Sequence, residues 1–138
     1  NGRRRQRQMC IRDRFIRGMV KNKWGRIVNI SSVVASTGNP GQSNYVAAKS
    51  ALNGLTKSLA LEVATRGVTV NSISPGFIDT AMTAKLTDDQ KRKITEKIPM
   101  GKMGTGEDIS SLVSFLVSNE AGYITGQNIH VNGGLFLT

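Results

Sequence analysis

Three short β-branched runs, each separated from the next by helical stretches, restrict what this chain can fold into more than any other feature. Arg26 to Ile30 (RIVNI), Val68 to Ile73 (VTVNSI) and Ile129 to Val131 read as buried parallel strands. Between the first two, Asn44 to Ala64 is a long stretch of good helix formers, with Ser43 or Asn44 as its cap. Leu52, Leu55, Leu59 and Val63 recur along it at helical spacing and should face a core. Strands alternating with helices predict an α/β fold whose parallel sheet is closed by right-handed crossovers. Three strands make a thin sheet, so the pattern predicts half of a larger doubly wound fold, or a protomer leaning on a partner.

The remaining local signals fill in the frame. Phe15 to Lys23 reads as an amphipathic helix with Phe15, Ile16, Met19 and Val20 on one face, ended by Gly25. Ser36 to Ser43 is loop by composition, and Ser74-Pro75-Gly76 breaks the second strand sharply. Short helical stretches follow over residues 79–98, and Gly106-Glu107-Asp108 opens another helix through Leu116. One cysteine and one histidine in 138 residues exclude an internal disulfide and any metal centre built on several of either. No apolar run approaches the roughly 20 residues of a membrane helix, and no secretory signal is visible. A cytoplasmic setting is expected.

The formal net charge of +10 looks like an invitation to nucleic acid, but its distribution argues otherwise. Residues 1–26 hold ten Lys or Arg against one acid, while the other 112 hold nine bases and eight acids. The basicity belongs to one terminal segment and says nothing about the body. Residues 1–14 (NGRRRQRQMCIRDR) have little apolar content and no period, and read as a disordered or foreign basic arm. The arm has no aromatic residue for base stacking, so nucleic-acid binding is not expected of it. Residues 15–138 form the organised body.

Ser32, Tyr45 and Lys49 carry the chemistry. Ser32 follows the first strand, at the edge where open α/β sheets place their ligands. Tyr45 and Lys49 are four apart on the expected helix and share a face. A neighbouring ammonium favours the phenolate form of a tyrosine, whose ordinary pKa is about 10. Such a tyrosine can give a proton to a carbonyl undergoing reduction and later take it back. A serine hydroxyl beside it can hold the same oxygen in place. Taken singly, each residue is better explained as structure; the spacing of the three is what points to chemistry.

Ser, twelve residues, Tyr, three residues, Lys resembles the active-site signature of the short-chain dehydrogenase/reductase family. The resemblance extends to GRIVNISSVV (Gly25 to Val34), NYVAAKSAL (Asn44 to Leu52), VNSISPGFIDTAMT (Val70 to Thr83) and ITGQNIHVNGG (Ile124 to Gly134). Within the family it is similar to the members that reduce 3-oxoacyl groups on acyl carrier protein in fatty-acid synthesis. The resemblance implies the C-terminal half of a Rossmann fold, with NADPH as cofactor and NAD not excluded. Ser32 would position the substrate carbonyl, Tyr45 would be the general acid and also contact the cofactor, and Lys49 would hold the nicotinamide ribose. Pro75 and Gly76 would lie against the nicotinamide, Ile78 would hold its carboxamide through backbone groups, and Thr80 would sit near the cofactor phosphates. Asn44 would be a helix cap without a catalytic role. Arg66 and Lys23 fall at positions where the family presents basic residues to acidic carrier protein beside the active-site mouth. The family pattern has arginine at the second of these. The resemblance also implies a homotetramer, packed through the Asn44–Ala64 helix and the GGLFLT end (Gly133 to Thr138).

The chain departs from the family in what precedes Ser32. A complete member opens with a strand, a Gly-rich turn and a helix N-terminus that receive the pyrophosphate. No such glycine pattern is present, nor the Asn-Asn-Ala-Gly segment, nor the residue that selects NAD or NADP. The family's fourth catalytic residue, an asparagine, has no counterpart either, for no Asn lies between Gly2 and Asn22. The expectation is a fragment of a domain of about 250 residues that binds cofactor poorly by itself. Two other readings stay open: a short-chain oxidoreductase acting on a sugar, steroid or small alcohol, and a non-catalytic half-domain whose basic arm binds nucleic acid.

Overall fold

The computed structural model describes residues 14–81 and 83–138. The reading of residues 1–13 as a basic arm lies outside them, and residue 14 is already helical. From there the chain runs through α1 (residues 14–22), β1 (Gly25–Ile30), α2 (Val34–Thr37), α3 (Ser43–Val63), β2 (Val68–Pro75), α4 (Asp88–Thr95), α5 (Gly106–Leu116) and β3 (Asn128–Val131). Among the described residues the strands form one parallel sheet in the order β1-β2-β3, with Gly25 opposite Val68 and Ile73 opposite Ile129. The three expected strands are all present, each extended by a residue or two.

Alternation along the strands divides the core into two layers. Ile27, Val68 and Val70 face one side of the sheet and meet Leu59, Ala60 and Val63 of α3, with Ile16, Met19 and Val20 of α1. Val28, Ile73, Ile129 and Val131 face the other side and meet Leu116, Ala121 and the inner face of α5. Side chains that alternate faces along a strand thus find helices on both sides, as a parallel sheet requires. Leu52 and Leu55 are only half-buried, while Thr56 is buried and donates to the Leu52 carbonyl at 2.8 Å. Its hydroxyl also accepts from Asn29 of β1 at 2.8 Å, a buried polar tie between α3 and the sheet.

Three local expectations change. Phe15 is 65% exposed and does not join the apolar face that Ile16, Met19 and Val20 supply. Gly25 does not stop α1; Lys23 does, by taking a left-handed conformation with φ 50°. Gly25 instead begins β1, where a Cβ would lie 2.7 Å from Met19, so glycine permits close packing there. At the start of α3 the cap position is Gln42, which makes no side-chain cap bond. Asn44 lies inside the helix and its Oδ1 accepts from the Tyr45 amide at 2.8 Å. α5 is better capped: Thr105 and Asp108 exchange reciprocal side-chain to backbone bonds, and the Thr105 amide holds the Asp108 carboxylate below its ordinary pKa.

The face of β3 turned away from α5 carries a polar cluster. Asn128 accepts from Ser72 and Ser74 at 3.0 and 2.8 Å, and its amide lies 3.3 Å from His130 Nε2. The His130 ring packs 4.9 Å from Phe136, and its Nδ1 is buried without a hydrogen-bond partner among the described residues. Burial pushes the His130 pKa below its ordinary value, so the folded state favours the neutral ring. A base whose folded pKa is depressed contributes stability that is fully present above the unfolded pKa of about 6.5 and is lost as pH falls through the folded value. Urea unfolding of the wild type should therefore lose stability on acidification through about pH 6 more steeply than His130→Gln. Equal slopes for the two would contradict this assignment.

Candidate active site

All three strands end at one edge, and the residues with chemistry gather there. Ser32 follows β1, Tyr45 and Lys49 lie in the first two turns of α3, and Pro75-Gly76 closes β2. The β1 end is stitched down by the Ser31 amide on the Ile73 carbonyl at 2.7 Å and the Val33 amide on the Pro75 carbonyl at 2.9 Å. These bonds fix the Ser32 backbone against the Pro75 turn. Among the described residues the Ser32 hydroxyl accepts only a long contact from the Val34 amide at 3.4 Å, which leaves its hydrogen free to donate.

Ser31 is a residue that sequence reasoning missed. It is buried, and its hydroxyl donates to the Lys49 carbonyl at 3.1 Å, tying the active helix to the strand end. Ser50 repeats the device, donating to the Ala35 carbonyl at 3.0 Å. Adjacent serines after a strand are the only trace of this in the sequence. Which of the two turns inward depends on strand register.

Lys49 Nζ donates to the Ile30 carbonyl at 2.8 Å and stands 5.7 Å from the centroid of the Tyr45 ring. The ammonium is thereby anchored at the end of β1 and held over the phenol, within cation–π reach. Tyr45 is 44% exposed, so its ring is open to an incoming molecule. The structure brings Tyr45 and Lys49 together and sets both beside the strand end that carries Ser32.

The turn after β2 offers backbone groups of its own. Ile78 forms a parallel bridge with Gly104, made by the Gly104 amide on the Phe77 carbonyl at 3.0 Å and the Asp79 amide on the Gly104 carbonyl at 2.8 Å. In such a bridge the amide and carbonyl of Ile78 itself point the opposite way. Thr83 Oγ1 reaches that carbonyl at 3.3 Å. An outward N–H beside a C=O that keeps a second lone pair besides the one facing Thr83 is the donor–acceptor pair that a carboxamide requires, so this turn fits the nicotinamide end of the expected cofactor. The Thr80 amide is committed to Thr83 Oγ1 at 2.7 Å, so any contact by Thr80 falls to its hydroxyl. A cavity of about 210 Å³ adjoins the turn, lined in part by Met100, Lys102, Met103 and Asn132.

Arg66 and Lys23 lie apart from this group within the chain. Both are exposed, and both lie at the beginnings of β2 and β1 rather than at their ends. Gly67 and Gly25 are bonded there, with the Lys23 carbonyl pressed against Gly67. Within one chain, then, this basic pair sits at the end of the sheet opposite Ser32 and not beside its mouth.

No helix among the described residues is long and apolar enough to cross a membrane, and no cluster of three or more potential metal ligands occurs among them. The family model described as Enoyl-(Acyl carrier protein) reductase matches residues 9–136. The chain is 58% identical over 124 residues to the 3-oxoacyl-[acyl-carrier-protein] reductase FabG of Haemophilus influenzae, covering 90% of this chain and 51% of the relative. The FabG of Rickettsia bellii is 57% identical over 88% of this chain and 51% of its own length. Nodulation protein G of a Rhizobium species is 57% identical over 85% of this chain and 48% of its own. The chain thus spans about half the length of the curated relatives it matches. With the carboxyl-edge site and the parallel sheet, this match over nearly the whole described chain is decisive: the chain belongs to the short-chain dehydrogenase/reductase family, and within it is similar to part of a 3-oxoacyl-[acyl-carrier-protein] reductase.

Proposed function

We propose that this chain carries the carbonyl-reducing half of a 3-oxoacyl-[acyl-carrier-protein] reductase that uses NADPH. The observation that carries the reading is the Lys49 ammonium, bonded to the Ile30 carbonyl and held over the Tyr45 ring at the strand end that bears Ser32. Similarity to relatives named for this reaction supplies the substrate class. When bound, the cofactor supplies the hydride.

The residues of this chain do the rest. Ser32 donates its free hydroxyl hydrogen to the 3-oxo oxygen and holds it for attack. Tyr45 gives its phenolic proton to that oxygen as negative charge develops there, leaving a 3-hydroxyacyl product. Lys49 stabilises the phenolate that remains and offers its other N–H groups to the ribose hydroxyls. Pro75 stiffens the turn after β2, Gly76 lets it lie close to the cofactor, and Ile78 binds the carboxamide by its backbone. Thr80 contributes a hydroxyl toward the phosphates. A preceding Gly-rich nucleotide-binding segment completes the pyrophosphate site, so the 138 residues alone turn over little. Self-association through the exposed side of α3, where Leu61 is 84% exposed, suits this reading. Arg66 and Lys23 offer a basic pair to acidic carrier protein. Because they lie away from Ser32 of their own chain, a carrier protein held there would meet the site of another copy more readily.

The substrate class is tested by fusing the chain to the amino-terminal half of the Haemophilus influenzae relative. The product is then assayed with NADPH against a 3-oxoacyl thioester, an aldose and an oxosteroid. The thioester should be reduced with the highest kcat/KM, by at least about tenfold, the ratio that 1.4 kcal/mol of differential transition-state binding gives. Preference for the sugar or steroid would overturn the substrate assignment while leaving the reductase chemistry intact.

A further inference from the structure

The C-terminal tail meets the candidate cofactor turn twice, by direct packing on Gly76 and through the Met100–Gly104 loop, and one side chain makes the junction. Asn132 directly follows the last β2–β3 pair, Pro75 opposite Val131, and therefore stands beside Gly76. A Cβ on Gly76 would lie 2.8 Å from both Cα and Cβ of Asn132, and the Gly76 amide donates to the Val131 carbonyl at 2.9 Å. The Asn132 side chain turns toward the tail and both its polar atoms are used there. Nδ2 donates to the Phe136 carbonyl at 2.9 Å, and Oδ1 accepts from the Gly134 amide at 2.9 Å. Phe136 in turn rests on the His130 ring.

The second connection reaches the same turn from the other side. The Met100 amide donates to the Gly133 carbonyl at 3.1 Å, and a Cβ on Gly133 would meet Ile98 at 2.7 Å. Four residues beyond Met100, Gly104 makes the bridge that aims the backbone groups of Ile78 outward. Asn132, Gly133, Met100 and Gly104 all line the 210 Å³ cavity, so these contacts form a ring around it.

We propose that Asn132 is a positioning residue. By folding the tail over residues 132–136 it presses on Gly76 and holds the Met100–Gly104 loop, and through both it fixes the outward aim of the Ile78 backbone pair. The use of that pair for a nicotinamide rests on the function proposed above, whereas the coupling does not. Order in the last residues of the chain then sets order in a turn more than fifty residues earlier.

The experiment is native-state amide hydrogen exchange, read by NMR on the 138-residue chain. It compares wild type, Asn132→Ala, and a variant lacking residues 136–138 that keeps Asn132 and Gly76 in contact. Both variants should exchange the amides of Gly76, Asp79 and Gly104 faster by roughly 5–10-fold, about the effect of one lost hydrogen bond. Exchange within Val70–Ile73 should stay near wild type. Uniform acceleration across β2 would overturn the proposal by making Asn132 merely structural. Unchanged exchange at Gly76 and Gly104 would overturn it by removing the coupling. If Asn132→Ala does not fold, the truncated variant decides between these results. No cofactor or substrate enters the measurement, so failure of the reductase reading would appear in turnover assays and not here.

Discussion

Tyr45→Phe, introduced into the chain fused to an amino-terminal nucleotide-binding half, is expected to lower the rate of carbonyl reduction by about 10²–10⁴-fold, the range that a positioned general acid contributes. The substitution removes one oxygen from a ring that is 44% exposed, so it leaves no buried cavity and exposes no new apolar surface. Folding should be unchanged, and the loss should fall on kcat rather than on cofactor affinity. Lys49→Met predicts a broader defect. It loses the anchor on the Ile30 carbonyl, the charge over the ring and the donors for the ribose, so both KM for cofactor and kcat should suffer.

The largest effect on stability is expected at Gly67, far from this site. Gly67 adopts φ 70°, a conformation that costs an L-residue about 1–2 kcal/mol. A Cβ there would collide with the backbone carbonyl of Lys23, which cannot swing aside as a side chain tip would. The Gly67 carbonyl also accepts the Gly25 amide at 3.3 Å, so a shift of Gly67 disturbs the start of the β1–β2 pair. Gly67→Ala should therefore cost about 2–4 kcal/mol and lower Tm by roughly 8–15 °C. Gly101 is the control: φ is 67° there, but nothing lies within 4 Å of the added Cβ. Gly101→Ala should cost only the conformational part, about 1–2 kcal/mol. Equal losses at the two glycines in thermal unfolding would contradict the collision.

The different legibility of these two regions in the sequence has a physical cause. Tyr45 and Lys49 are legible because the i,i+4 step of a helix sets them on one face before any tertiary contact forms, whereas Ser32 joins them only through the spacing that resembles the family signature. The strands were visible because β-branched runs report burial on both faces of a parallel sheet. Gly67 carries no such local signal, because the clash it avoids is with Lys23, more than forty residues earlier. Gly25 looks like a helix stop for the same reason, since its neighbour Met19 is brought back only by the fold of α1 onto β1. Asn132 likewise looks like an ordinary residue before a Gly-Gly turn until β3 pairs with β2 and sets it against Gly76.

Buried polar residues were the other blind spot. Asn71 lies at the centre of β2, where polarity argues against burial. Its amide donates to the Ile124 carbonyl at 2.8 Å and its carbonyl accepts from the Gln127 amide at 3.1 Å, so the loop before β3 satisfies it. Asn29 and Thr56 satisfy each other across the sheet–helix boundary in the same way. Such pairs have no sequence period and become predictable only once the register is known. Strand direction is also what separates Arg66 and Lys23 from Ser32. In the sequence they are merely basic residues near strands, and the parallel sheet puts strand starts and strand ends on opposite sides of the molecule.

The central claim is that this chain holds the proton-donating chemistry and depends on a nucleotide-binding segment to use it. Its most direct test is NADPH oxidation with a 3-oxoacyl thioester, measured side by side for the 138-residue chain, the fused chain, and the fused Tyr45→Phe variant. The account predicts turnover by the fused chain alone, with the other two near background. Tyr45-dependent turnover by the unfused 138 residues, or undiminished turnover by the fused Tyr45→Phe variant, would contradict it.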